Sequence, residues 1–200
     1  MDFYQIIAEN FQSTIETIAL SVDNIAEPIQ TASQVLVTAL LDDRKVICCG
    51  NGVDACTAQL FANYFISRFE QERPALPALA LAADGSSVTA IGQGSGSISD
   101  IFSRQLRALG QAGDVLFCVN SSAGADNLVR AIQAAHERNM HVVALSNGED
   151  TGLATLLSAD DVELRVQAPR QPRVVEIHTM AVHSLCELVE HTLFGSYNQE

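Results

Sequence analysis

Five short apolar runs, spaced by helical patterns, constrain this chain more than any other feature. Residues 45–49 (KVICC), 78–82 (ALALA), 114–119 (DVLFCV), 141–145 (HVVAL) and 162–166 (VELRV) are nearly continuous in hydrophobicity. A half-exposed strand alternates apolar with polar residues, whereas runs this uniform suit strands covered on both faces, as in a parallel sheet. Helical patterns lie between them near 55–70, 98–109, 126–138 and 152–158, with a last one at 173–194. This alternation predicts right-handed βαβ units and an α/β fold with a doubly wound sheet between two layers of helices.

Ahead of the sheet, residues 3–22 place Phe3, Ile6, Ile7, Phe11, Ile15, Ile18 and Val22 at helical spacing. Residues 28–41 do the same with Ile29, Ala32, Val35, Leu36, Ala39 and Leu40. Pro28 suits a first helical turn, so the two patterns predict an N-terminal helical hairpin over 1–42, followed by an α/β core with a C-terminal helix over 43–200. The whole is expected to be one domain of 200 residues. The stripe on such a hairpin needs a surface to bury it, which another subunit can supply.

Bulk properties narrow the function. The net charge is −13, a surface that repels phosphate backbones and anionic lipid. Direct binding of nucleic acid or membrane is therefore not expected, and a basic protein patch is the more fitting partner. No cationic stretch precedes an apolar core at the N-terminus, and no apolar run reaches the ~18–20 residues of a membrane span. The cysteines at 48, 49, 56, 118 and 186 show no CxxC spacing, and three lie in the strand runs. That is the pattern of reduced, packed thiols, and the cytoplasm is the expected location.

Ligands of open parallel sheets settle beyond the carboxyl ends of the strands, at helix N-termini. Three turns qualify: Gly50-Asn51-Gly52-Val53-Asp54, Asn120-Ser121-Ser122-Ala123-Gly124 and Ser146-Asn147-Gly148. The first is neither GxGxxG nor a P-loop, which argues against a dinucleotide or a nucleoside triphosphate. The second, with two hydroxyls and a glycine ahead of a helix, reads equally as a phosphate cradle or as a plain capping turn. Asp54 reads as the cap of its own helix.

Four stretches carry a family resemblance: "GNG...A..AQ.F...F..RFE.ERP.LPA.AL", "Q.RALG..GDVL", "AIQAAH.R.M.VVAL" and "R..E.H..A.H.LCELVE.TLF". Over essentially the whole chain they resemble the sugar isomerase (SIS) fold, in the branch shared by phosphoheptose isomerase and the DnaA initiator-associating protein. The resemblance implies a flavodoxin-like, five-stranded, three-layer fold and a homotetramer with sites at subunit interfaces.

Carried over position by position, the isomerase site is mostly lost. Its zinc-binding histidine falls at Leu60, its glutamate, both ligand and proposed base, at Tyr64, and its glutamine ligand at Val175; the last histidine persists as His183. The phosphate loop keeps the central pair Ser121-Ser122 between Asn120 and Ala123-Gly124-Ala125. The glycine and serine of the first turn become Val53 and Asp54, and an Asn-Asp pair that contacts sugar becomes Gln93-Gly94. Aldose–ketose isomerisation needs a base to move a proton between adjacent carbons and an electrophile to polarise the carbonyl. Leucine and valine cannot ligate a metal, and one histidine does not hold zinc. The expectation is no catalytic residue, no zinc and no metal, with a vestigial phosphosugar cleft at Asn51, Gly52, Asn120, Ser121, Ser122 and His183.

Several features have plainer explanations. His183, Glu187 and His191 share one helix face, which a solvated surface explains more simply than a metal. His136 and His141 flank a helix–strand junction and read as surface residues. The "APRQPR" stretch, 168–173, reads as a polar connector.

In the initiator-associating branch a Leu-Phe pair near the end of the last helix contacts DnaA, and it matches Leu193-Phe194. The pair reads either as an exposed anchor or as packed against its own subunit. Three functions stay open: a tetrameric, non-catalytic scaffold binding DnaA; a sugar-phosphate binding protein or isomerase with a remodelled pocket; and a degenerate paralogue co-assembling with an intact isomerase.

Overall fold

A computed structural model describes residues 2–94, 97–149 and 151–195. Helix α1 (Phe3–Leu41) leads into β1 (Val46–Gly50), α2 (Val53–Ile66), β2 (Ala78–Ala80) and α3 (Gly85–Gln93). After a 3₁₀ turn come α4 (Ile101–Leu109), β3 (Val115–Val119), α5 (Asp126–Glu137), β4 (His141–Asn147), the single turn α6 (Thr151–Ala154), β5 (Val162–Val166) and α7 (Gln171–Phe194).

The five strands pair in parallel in the order β2-β1-β3-β4-β5. The switch point lies between β1 and β3, where Val46 pairs Val115 and Gly50 pairs Val119. The uniform hydrophobicity of the strands has its cause here, since successive side chains enter different cores. Val46, Cys48, Phe117, Val119, Val143 and Leu145 face α1, α2 and α7. Ile47, Cys49, Leu116, Cys118, Val142 and Ala144 face the other layer, with Phe102, Leu106, Leu128 and Ile132. The fully buried ring of Phe61 on α2 stacks on Phe117 of β3, centroids 4.1 Å apart. Burying one such side chain stabilises by about 1.5–3 kcal/mol.

The predicted hairpin over 1–42 is instead one helix of 39 residues with Pro28 inside it. Its buried stripe crosses the proline without a break, through Ser21, Ile25, Ile29, Ala32 and Leu36. Pro28 cannot bond the carbonyl of Asn24, but Asn24 is an exposed residue, so water can serve that carbonyl instead. Proline alone suggested a helix start, and the continuous stripe overrides it. The first half of α1 stands clear of the core, leaving Phe3, Tyr4, Ile7, Phe11, Ile15 and Leu20 exposed. It is tied to the start of α7 by Thr14 Oγ1 donating to Glu176 at 2.8 Å and by the Arg173 guanidinium donating to the Asn10 carbonyl.

Helix α3 has no strong pattern in the sequence, because GSSVTAIGQ is poor in helix formers. Asp84 starts it by accepting from the backbone N–H groups of Ser86 and Ser87 at 3.0 and 3.3 Å.

A buried clasp closes the far end of the α2–α7 pair. Glu190 accepts from the N–H groups of Phe69, Glu70 and Gln71 at 2.8, 3.2 and 3.2 Å, and from Arg73 Nε at 2.8 Å. Arg73 also donates to the carbonyls of Tyr64 and Phe65, which end α2. Burial acts to raise the Glu190 carboxyl, but the three N–H groups and Arg73 outweigh it and hold the pKa below the usual range. Both side chains are almost fully buried, so truncating either one strands its partner's charge. Glu190→Ala and Arg73→Ala are each expected to lower unfolding stability by about 3–5 kcal/mol. In urea titrations the double variant should lose much less than the sum of the two.

Candidate functional site

An open cleft of about 500 Å³ lies at the carboxyl edge of the sheet. Its walls include Ser121 and Ser122 after β3, Asn147 and Glu149 after β4, and Arg170 and Gln171 at the start of α7. The topology puts it there, because the strand ends and the N-termini of their following helices meet at this edge.

Two of the sequence-predicted loops come together here. Ser121 is buried; its backbone N–H donates to Asp54 Oδ2 at 2.9 Å, and its Oγ accepts from Gln171 Nε2 at 3.0 Å. Ser122 is exposed on the wall. Asn120 is buried, its N–H bonded to the Leu145 carbonyl at 2.8 Å. Asn51 exchanges a reciprocal pair of amide bonds with Asn127 on α5, both 2.8 Å. Gly52 caps α2 with φ +54°, a backbone that side-chain-bearing residues rarely adopt.

Asp54 does not cap its own helix, contrary to the reading from sequence. It sits in the first turn of α2, where Gly52 holds the cap position without any side-chain bond. Its carboxylate crosses to the β3 loop instead. Burial raises the Asp54 pKa, and the backbone N–H and hydroxyl of Ser121 only partly oppose that.

His183 is not part of the cleft. It lies about 18 Å along α7 from Gln171, at about 1.5 Å per residue. Its ring packs 5.7 Å from the rings of both Tyr64 and Phe69. Leu60 and Tyr64 are half-buried against the core on the same side. Among the described residues, no group of three or more His, Cys, Asp or Glu is placed to hold a metal ion. Leu193 is half-buried against the core, whereas Phe194 is 39% exposed, with the Arg73 guanidinium 6.0 Å from its ring centroid.

The thiol of Cys48 is fully buried, and burial pushes its pKa far up, so it is inert. His136 is only half-exposed and pairs with Asp161 at 2.8 Å, while His141 is exposed. No helix among the described residues is long and apolar enough to cross a membrane.

Three contributors were not singled out from sequence: Asn127, Gln171 and His178. Gln171 and Arg170 belong to the stretch read as a mere connector. The available signal was position, since a helix that follows the last parallel strand begins at the ligand edge.

A doubly wound parallel sheet, with the β1 turn and the serine-bearing β3 loop meeting at its switch point, is the frame to compare with known proteins. The SIS domain model matches residues 10–147, and the chain belongs to that family. Within the family it is similar to phosphoheptose isomerases. The one from Chromohalobacter salexigens is 43% identical over 196 residues, covering 98% of this chain and 99% of that protein. The structure of phosphoheptose isomerase from Neisseria gonorrhoeae superposes with a TM-score of 0.89 at 35% identity, covering 94% of this chain and 99% of that one. One from Francisella tularensis gives 0.92 at 34% identity, covering 96% and 100%.

Beneath the cleft, His178 is buried and donates Nε2–H to the Ser146 carbonyl at 3.1 Å, while Nδ1 has no partner. This braces the Ser146-Asn147-Gly148 turn from below. Burial lowers the His178 pKa from 6.5 to about 4. The unfolded chain therefore binds the proton more readily than the folded one. The stability contributed by neutral His178 is complete above about pH 6.5 and is lost as the pH falls through about 4, amounting to about 3 kcal/mol. Denaturant titrations at pH 7.5 and 4.5 should show this loss in the parent protein, and His178→Gln should shrink it.

Proposed function

We propose that this SIS-domain protein is a non-catalytic scaffold that binds the replication initiator DnaA and promotes initiation of DNA replication, working in the cytoplasm as a homotetramer. The observation that carries this reading is the fate of the isomerase donor positions. Leu60 and Tyr64 pack against the core, Val175 has no ligating atom, and His183 lies against two aromatic rings. This donor set does not fit zinc. Of these positions only Tyr64 and His183 keep a polar atom, and they supply neither the carboxylate base nor the metal electrophile of the isomerase.

What survives is what a scaffold needs. The exposed apolar side chains on the first half of α1 offer a surface for self-association, and an apolar groove of about 290 Å³ between α1 and α7 continues it. Phe194 supplies a partly exposed aromatic anchor at the end of α7, and the acidic surface complements a basic partner.

Two measurements test the proposal. Sedoheptulose 7-phosphate with zinc should yield no heptose phosphate, and turnover at an enzymatic rate overturns the non-catalytic reading. Immobilised protein should retain purified DnaA, with Phe194→Ala weakening retention about tenfold. Leu193→Ala, which trims a half-buried side chain, should weaken it too. Failure to retain DnaA, or retention indifferent to both changes, overturns the scaffold reading.

A further inference from the structure

Ser121 of the phosphate loop is already satisfied from within. The Ser121 N–H is given to Asp54 Oδ2 at 2.9 Å, and the Ser121 hydroxyl is held by Gln171 at 3.0 Å. The first turn of α2 offers little more, since Asp54 N–H donates to the Asn51 carbonyl at 2.9 Å and Ala55 N–H to that of Gly52 at 3.2 Å. Asp54 is only 2% exposed, and its second oxygen, Oδ1, is buried with no hydrogen-bond partner. An orphaned carboxylate oxygen beside a bonded one, at the positive end of a helix, is the arrangement of a bound anion.

We propose that Asp54 is the resident anion of this loop and makes the cleft selective against phosphomonoesters. A phosphate taking the Ser121 N–H would displace the carboxylate and leave both its oxygens buried and unpaired. It would also arrive as a like charge. Of the other charges nearby, two are further carboxylates and one is a cation. Asp126 lies exposed in the first turn of α5, and Glu149 lies on the cleft wall. Arg170 is a cation on that wall; its Nη2 donates to the neutral Asn10 Oδ1 at 2.5 Å, which orients the guanidinium and leaves its charge in place. Asp54 is thus a specificity-determining residue: it keeps the loop in its bound shape without a ligand and leaves the cleft open to polar ligands without a phosphate. This inference rests on the non-catalytic reading of the same cleft. Its readout is phosphate binding, not turnover or DnaA retention, so the two can fail separately.

The test is thermal unfolding in inorganic phosphate, and separately in sedoheptulose 7-phosphate, against potassium chloride of equal ionic strength. The parent protein should show no phosphate-specific rise in Tm. Asp54→Ser and Asp54→Ala should each show a rise that grows with phosphate concentration, with apparent binding about tenfold tighter than in the parent. A parent that responds as the variants do, or folded variants that show no response, overturns the proposal. Should both variants lose their fold by circular dichroism, the parent decides: a phosphate-specific rise refutes the resident anion, and its absence supports it.

Discussion

The close approach of α2 to the end of β1 is the constraint on which the ligand edge depends. A Cβ at Gly50 would stand 2.6 Å from the backbone carbon and oxygen of Asp54, so only glycine lets the first turn of α2 lie so near the strand. That placement puts the Asp54 carboxylate within reach of the Ser121 N–H on the neighbouring strand's loop. The Asn51–Asn127 amide pair ties the same turn to α5. Two loops from separate βα units are thereby held as one surface, and the cleft beside them inherits its shape.

The sheet was legible because double burial leaves its mark on every residue of a strand. Ile47 and Cys49 serve one core while Val46 and Cys48 serve the other, so no polar position interrupts the run. The helix boundaries were less so. Pro28 suggests a start when read locally, but the stripe from Ser21 to Leu36 requires continuity, and burial from Thr17 to Ala39 prevails over one missing hydrogen bond. Helix α3 was invisible for the opposite reason. Its own residues say little, and its start rests on two bonds accepted by Asp84.

At the site, topology showed where to look, and residue type did not show what would be found. Asp54 has the composition of a helix cap, yet its carboxylate serves a loop 67 residues further along the chain. Gln171 and His178 act across gaps of 50 and 32 residues, from a connector and a buried helix face. Long-range hydrogen bonds of this kind leave no local periodicity to read. The family likeness identified the frame correctly, but a frame hosts many chemistries, and function has to be argued from the groups it holds.

Helix α2 has one more property, visible when its two ends are considered as a pair. It is a strut of about 21 Å, at about 1.5 Å per residue. One end is stitched to the β3 loop through Asp54, and the other is gripped by Arg73, which hands the connection on to Glu190 near the end of α7. The ligand edge and the end of α7 are therefore joined through one helix, which also packs on the sheet through Phe61. One short helix thus carries a buried carboxylate contact at each of its ends.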